Sequence, residues 1–273
     1  MADALRIGVV QLSSRDDVRH NLGRAAELVT QAAAEGAQIV VLPENFAYMG
    51  TDEGKRGVAE HLDEGAHGPI LTALSDAARR SGAHVIAGGM PERSADPDRP
   101  FNTCAVIAPD GELVGCYRKV HLFDVEVGDG QRYCESASTT AGAEPVVVSL
   151  LGFKVGLSVC YDLRFPELYR KLASLGAELI VVPAAFTLAT GKDHWHVLLR
   201  ARAIESQAYV AAAAQWGTHP RDRRTYGKSL VADPWGDVIV QCPDGEGFAV
   251  ATVDRRRLES VRASLPSLRH RRL

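Results

Sequence analysis

Two stretches of this chain echo one another, and that repeat constrains the fold more than any other feature. Gly36-Ala37-Gln38-Ile39-Val40-Val41-Leu42-Pro43-Glu44-Asn45-Phe46 returns as Gly176-Ala177-Glu178-Leu179-Ile180-Val181-Val182-Pro183-Ala184-Ala185-Phe186. Upstream of each lies a second match, Arg6-Ile7-Gly8-Val9 against Lys154-Val155-Gly156-Leu157. Residues 38–42 and 179–182 are almost wholly apolar, the mark of strands covered on both faces. A strand–helix–strand unit therefore occurs twice. Each parallel βαβ unit carries its loops at strand C-termini, where open α/β sheets bind ligands. Glu44 ends the second strand of the first unit, and Cys160 ends the first strand of the second. If the units pack about a pseudo-two-fold axis, both side chains reach one crevice.

The remaining pattern fills in an α/β chain. Apolar periodicity predicts helices over 17–35, capped by Asp16 or Asp17, and over 69–81, 166–174, 194–207 and 255–263. Strands are expected over 5–12, 84–89, 209–214 and 248–253. Hairpins are expected over 102–108 with 112–118, turned by Pro109-Asp110-Gly111, and over 146–149 with 153–160. A third pairs 229–232 with 238–241. Residues 54–68 read as a short helix and loop, and 92–99 as a charged surface loop. Residues 125–142 show no regular period and read as a long loop, a length that usually serves function.

The chain's 273 residues suit one domain, with a core over about 5–254 and a C-terminal tail over 255–273. A net charge of −3 gives no footprint for nucleic acid. No apolar run approaches membrane-spanning length, and the N-terminus lacks the basic-then-apolar order of a signal peptide. The five cysteines, at 104, 116, 134, 160 and 242, include no CxxC pair. That argues against a zinc site or disulfide framework and for a reducing, cytoplasmic setting.

Three segments carry side chains suited to chemistry. In Val159-Cys160-Tyr161-Asp162-Leu163-Arg164-Phe165-Pro166-Glu167 a thiol stands at a strand-to-helix turn, where a helix N-terminus favours a thiolate. At its reference pKa only about 3 % of such a thiol is ionised at pH 7, a deficit of about 2 kcal/mol. A cation or helix terminus can supply it, or a base such as Glu44 can take the proton during attack. Glu44 follows a buried strand, where a carboxylate is costly unless paired. Lys119 lies in an alternating segment, and its ammonium, if buried, would stabilise an oxyanion. Taken singly, each has an ordinary reading: a core cysteine, a loop salt bridge, a solvated lysine. His194 and His196 are two apart and give no metal signal, and no phosphate-binding Gly-Lys-Ser/Thr loop is present.

Together, Leu42-Pro43-Glu44-Asn45-Phe46, Tyr117-Arg118-Lys119-Val120-His121-Leu122-Phe123-Asp124 and Cys160-Tyr161-Asp162-Leu163-Arg164-Phe165-Pro166-Glu167 resemble the nitrilase, or carbon–nitrogen hydrolase, superfamily. That family's catalytic Glu, Lys and Cys occur in this order and in such blocks. The likeness runs from Arg6 to Arg272. Val197-Leu198-Leu199-Arg200-Ala201-Arg202-Ala203-Ile204-Glu205 is most similar to the omega-amidase and deaminated-glutathione amidase branch, closer to the second. Lys228 departs from the histidine expected before Ser229 in animal relatives.

The resemblance implies a single carbon–nitrogen hydrolase domain over 1–273, folded as a nitrilase-type α-β-β-α four-layer sandwich with two packed mixed sheets. It assigns Glu44, Lys119 and Cys160 as a catalytic triad, with Glu135 as the second glutamate. The Tyr161 N–H would share the oxyanion, and Arg164 and Phe186 would line the substrate pocket. Arg164 has an alternative, an ion pair with Glu167. No metal or organic cofactor is implied. The expected reaction is thiol-dependent hydrolysis of a small carboxylate-bearing amide through a thioester, releasing ammonia. The rivals are a nitrilase acting on a nitrile, a papain-like Cys–His enzyme using His121 or His194, and a non-catalytic interaction domain. A homodimer or higher homo-oligomer is the expected assembly.

Overall fold

The computed structural model describes residues 3–62, 67–126 and 132–272. Its strands are β1 (Ala4–Leu12), β2 (Ile39–Leu42), β3 (His84–Glu92), β4 (Phe101–Ile107), β5 (Leu113–Arg118), β6 (Asp124–Glu126), β7 (Arg132–Cys134), β8 (Val146–Leu150), β9 (Phe153–Leu157), β10 (Leu179–Ala184), β11 (Tyr209–Thr218), β12 (Arg224–Tyr226), β13 (Leu230–Ala232), β14 (Val238–Gln241) and β15 (Gly247–Asp254). The helices are α1 (Val18–Ala34), α2 (Asp52–Gly57), α3 (Pro69–Ser81), α4 (Pro166–Ser174), α5 (Leu188–Ser206) and α6 (Arg255–Ser264).

The repeat becomes the symmetry of the sheets. One half runs β5-β4-β3-β2-β1 and the other β11-β10-β9-β8. Among the described residues they pair only where Gln11 and Leu12 of β1 meet Ala214 and Gln215 of β11. The two βαβ units, β1-α1-β2 and β9-α4-β10, lie on either side of that join, and both pair in parallel. Elsewhere the half-sheets face each other. A Cβ built on Gly88 of β3 would stand 1.8 Å from Pro183 Cβ of β10, so glycine permits that approach.

Burial explains the wholly apolar strands. Ile7, Val9, Ile39 and Val41 enter a core shared with Val155, Leu157, Val181 and Val182 of the opposite half. The alternate residues Val10, Val40 and Leu42 pack on Leu28 and Val29 of α1 and Leu71 and Leu74 of α3. On the far side Leu172 of α4 and Trp195 and Leu199 of α5 cover the second half. The layers are therefore α-β-β-α, as the resemblance implies. α6 docks through Leu258 and Val261, 1 % and 2 % exposed.

Four departures from the sequence reading bear on the site and its surroundings. The 125–142 loop contains the antiparallel β6–β7 pair, with residues 127–131 between them outside the described residues, and a 3₁₀ turn at Glu135–Ala137. Three-residue strands are too short to show a period. α5 begins at Leu188 rather than 194, because Thr187 bridges Thr225 and its carbonyl accepts from the Gly191 N–H. Glu92 belongs to β3 and is buried, accepting from Thr103 Oγ1 and pairing with Arg118, instead of opening the surface loop. Finally β9 stops at Leu157, so Cys160 heads a 3₁₀ turn, Cys160–Arg164, that stands between the strand and α4.

Candidate active site

Four loops at one edge of the sandwich deliver four charged or nucleophilic side chains to one cavity of about 460 Å³. Glu44 arrives just past β2, and Lys119 just past β5. Glu135 opens the 3₁₀ turn after β7, and Cys160 opens the turn beyond β9. Lys119 Nζ donates to Glu44 Oε1 at 2.9 Å and to Glu135 Oε2 at 2.8 Å. Asn102 Nδ2 spans the same two carboxylates, donating to Glu44 Oε1 and Glu135 Oε1 at 3.0 Å each. The second Glu44 oxygen accepts from the Ala185 N–H at 3.0 Å, and the Phe123 N–H donates to Glu135 Oε2 at 2.8 Å. Glu44 and Lys119 are 3 % and 2 % exposed and Glu135 is half-buried, so a buried and a half-buried carboxylate share one buried ammonium and one amide.

The charges order themselves accordingly. Burial pushes Glu44 up, but the Lys119 charge and hydrogen bond, with Arg223, outweigh burial and the Glu135 charge and leave its pKa low. Burial likewise works against Glu135, yet the Lys119 and Lys55 ammoniums hold it below the ordinary carboxylate range. Burial depresses Lys119, and the charges of Glu135 and Glu44 reverse that and raise it. Cys160 goes the other way. Burial, then the charge and hydrogen bond of Glu44, push the thiol well above its usual pKa, against the pull of Lys119 and the Ala185 N–H. The setting expected to favour a resting thiolate instead favours a neutral thiol beside an ionised carboxylate. The 3₁₀ turn holds Cys160 at φ 49°, a left-handed conformation that costs a non-glycine residue of order 1–3 kcal/mol. The surroundings must hold that turn in place.

Asp162 does much of that holding. Its Oδ2 accepts from the Val159 N–H and Tyr117 Oη at 2.8 Å each. Its Oδ1 accepts from the His121 N–H at 3.1 Å and lies 2.7 Å from His121 Nδ1. One buried carboxylate thus ties the turn carrying Cys160 to the segment carrying Lys119. His121 is spent on this contact and on stacking with Phe165 at 3.7 Å. His194 lies 3.2 Å from Arg164 Nη1. Both histidines named in the Cys–His alternative are thus engaged with groups other than the thiol.

The remaining expected residues also line the cavity. Tyr161 packs edge-on against Phe123 at 5.0 Å. Arg164 lies over the Phe186 ring at 5.0 Å and faces His194, with no Glu167 ion pair among the described residues. Sequence reasoning missed Asn102, Lys55 and Arg223. Asn102 sits in a strand of otherwise ordinary apolar pattern, and the other two are cations among other charged residues, Lys55 beside Arg56 and Arg223 beside Arg224. Their only sequence signal is a polar residue where a strand or short helix leads into a functional loop.

Known proteins resemble this chain over nearly its whole length. The carbon–nitrogen hydrolase family profile matches residues 6–263. A deaminated glutathione amidase of Synechocystis is 45 % identical over 96 % of this chain and 96 % of its own length. An omega-amidase NIT2 of Danio rerio is 38 % identical over 98 % of this chain and 94 % of its own. The crystal structure of the C. elegans NitFhit protein superposes with a TM-score of 0.92 at 36 % identity, covering all of this chain and 66 % of that one.

Proposed function

This chain belongs to the carbon–nitrogen hydrolase family, and from that premise we propose that it opens the amide bond of a small carboxylate-bearing substrate through a thioester on Cys160. The Glu44 carboxylate takes the Sγ proton as sulfur attacks the carbonyl carbon. The Lys119 ammonium and the Tyr161 N–H hold the oxyanion. One such donor is worth roughly 3 kcal/mol in a site screened from water. Collapse of the tetrahedral adduct breaks the C–N bond, and protonated Glu44 hands its proton to the leaving ammonia or amine. Water, losing a proton to Glu44, then attacks the thioester. The acid departs and the Cys160 sulfur regains its proton. Glu135 keeps Lys119 charged and placed.

One observation carries this reading: Glu44, held by Lys119 at 2.9 Å, stands in the cavity that Cys160 also lines. A carboxylate below its usual pKa beside a thiol above its own is a base–acid pair set before attack. The relatives' names favour an amide over a nitrile and favour the deaminated-glutathione or omega-amidase type. The test is an assay of amine and acid release from ω-carboxy amides with Cys160→Ala beside the wild type. Release should vanish while the circular dichroism spectrum is kept, and mass spectrometry of the quenched wild type should find an acyl adduct on the Cys160 peptide. Undiminished turnover by Cys160→Ala would refute the assignment.

The homo-oligomer and the cytoplasmic setting belong to the same proposal. Val197 and Ile204 of α5 and Trp235 in the β13–β14 turn are 65 %, 46 % and 51 % exposed, an apolar surface suited to a second copy. Light scattering would give the assembly size. Among the described residues no helix is long and apolar enough to cross a membrane.

A further inference from the structure

We infer that Lys55 is a substrate-binding residue, an ammonium that takes up the carboxylate of the amide substrate inside the catalytic cavity. This deepens the amidase reading above and rests on it.

The first ground is the charge of the wall. In a chain of net charge −3, the cavity is lined by six cations, Lys55, Lys119, Arg132, Arg164, Arg221 and Arg223, against the carboxylates Glu44, Asp52 and Glu135. Lys119 is already held by Glu44 and Glu135. What remains is positive, and such a cleft selects an anion. The second ground is that Lys55 lacks a counter-ion. Its Nζ donates to Thr139 Oγ1 at 3.0 Å, and among the described residues no carboxylate lies within ion-pair range. An ammonium has three donors, and this one has a single hydroxyl partner in a half-buried position. Burial lowers its pKa, against the attraction of Glu135. A ligand carboxylate would repay both the missing hydrogen bonds and the missing charge.

The third ground is that its position is built. Lys55 sits on α2, four residues after Thr51, which caps the helix by accepting from the Gly54 N–H at 3.0 Å. The Thr51 N–H in turn donates to Tyr48 Oη at 3.2 Å. A Cβ on Gly54 would stand 1.8 Å from that hydroxyl, so α2 can close on Tyr48 only with glycine there. Tyr48 follows Glu44 by four residues. The short helix is thereby fixed to the segment that carries the base, and Lys55 is set in the wall beside it.

The test uses succinamate, an amide with a carboxylate, and succinamide, its uncharged counterpart. Lys55→Met should raise KM for succinamate at least tenfold with a much smaller change in kcat. The loss in kcat/KM should be at least tenfold greater for succinamate than for succinamide. Lys55→Arg should recover most of the loss. Equal losses on both substrates, or no loss on either, would overturn the inference. A second measurement does not need turnover: calorimetric binding of succinate to Cys160→Ala, with and without Lys55→Met. The double variant should bind at least tenfold more weakly. If succinate binds both alike, or neither, Lys55 is not the carboxylate site. If it binds as expected while the wild type hydrolyses no amide, the amidase reading fails and Lys55 stands as a carboxylate-binding residue only.

Discussion

Glu44 is ionised in a place where burial alone would neutralise it, and Arg223 is one of the reasons. The Arg223 guanidinium reaches the site from the loop before β12, lying over Tyr133 at 5.7 Å with Nη2 3.4 Å from the Ala185 carbonyl. Its charge lowers the Glu44 pKa, after the larger effect of Lys119. A base works only while it is unprotonated, so kcat/KM should fall on the acid side as pH drops through the Glu44 pKa. Arg223→Met removes a cation and raises that pKa, so the acid limb should move to higher pH. Arg223→Lys, which keeps the charge, should move it less. A profile that keeps its acid limb in Arg223→Met would mean that Glu44 is not the group titrating there. The limb's position is the proper readout, since it separates this effect from any loss of substrate affinity.

The 3₁₀ turn at Cys160–Arg164 shows how far an element can be read in advance. Its block of residues announced a thiol before a proline-led helix, and α4 does begin at Pro166. The turn itself was not legible, because five residues of left-handed entry and tight turning leave no period. Glu44, Lys119 and Cys160 could be picked out because their three blocks of neighbours together resemble a known family, though each alone had an ordinary reading. Asn102 and Lys55 could not. Their importance comes from what lies across the cavity, and a single chain position carries no trace of that. Asp162 falls between: its place two residues after Cys160 was visible, but its partners Tyr117 and His121 come from another strand end. Asp162 is fully buried, and its carboxylate holds Val159 of its own turn while reaching Tyr117 and His121 of the other segment. Asp162→Ala would strand the Val159 N–H and the Tyr117 hydroxyl in the interior. Unpartnered buried donors cost about 1–3 kcal/mol each, so the variant should lose roughly 3–5 kcal/mol. Urea unfolding would measure this, and a loss below 1 kcal/mol would show that the strut is dispensable.

At the scale of the whole molecule, the repeat prefigured a pair of βαβ units meeting at one edge, and the join between β1 and β11 is where the two halves depend on each other. Beside that join His219 is buried, with Nδ1 2.8 Å from the Ser14 carbonyl oxygen and Nε2 2.7 Å from Thr225 Oγ1. Ser14 lies two residues past β1, and His219 directly follows β11, so the imidazole ties the ends of the joining strands together. Burial lowers its pKa to about 4, with the Arg223 charge acting the same way and the Ser14 hydrogen bond opposing. An unfolded histidine takes up its proton near pH 6.5, while the folded one waits until about pH 4. Between those values the unfolded chain binds more protons, so the contribution is intact above pH 6.5 and is lost as pH falls. The full loss is about 3 kcal/mol below pH 4, and about 2 kcal/mol of it is gone by pH 5. His84, which burial also lowers, acts in the same direction, so the comparison must be between variants. His219→Gln can donate to Ser14 and accept from Thr225 without titrating. Urea unfolding from pH 7 to pH 5 should therefore show a stability decline in the wild type about 2 kcal/mol steeper than in His219→Gln. Parallel declines would place the acid sensitivity of this fold elsewhere than at the seam between its two halves.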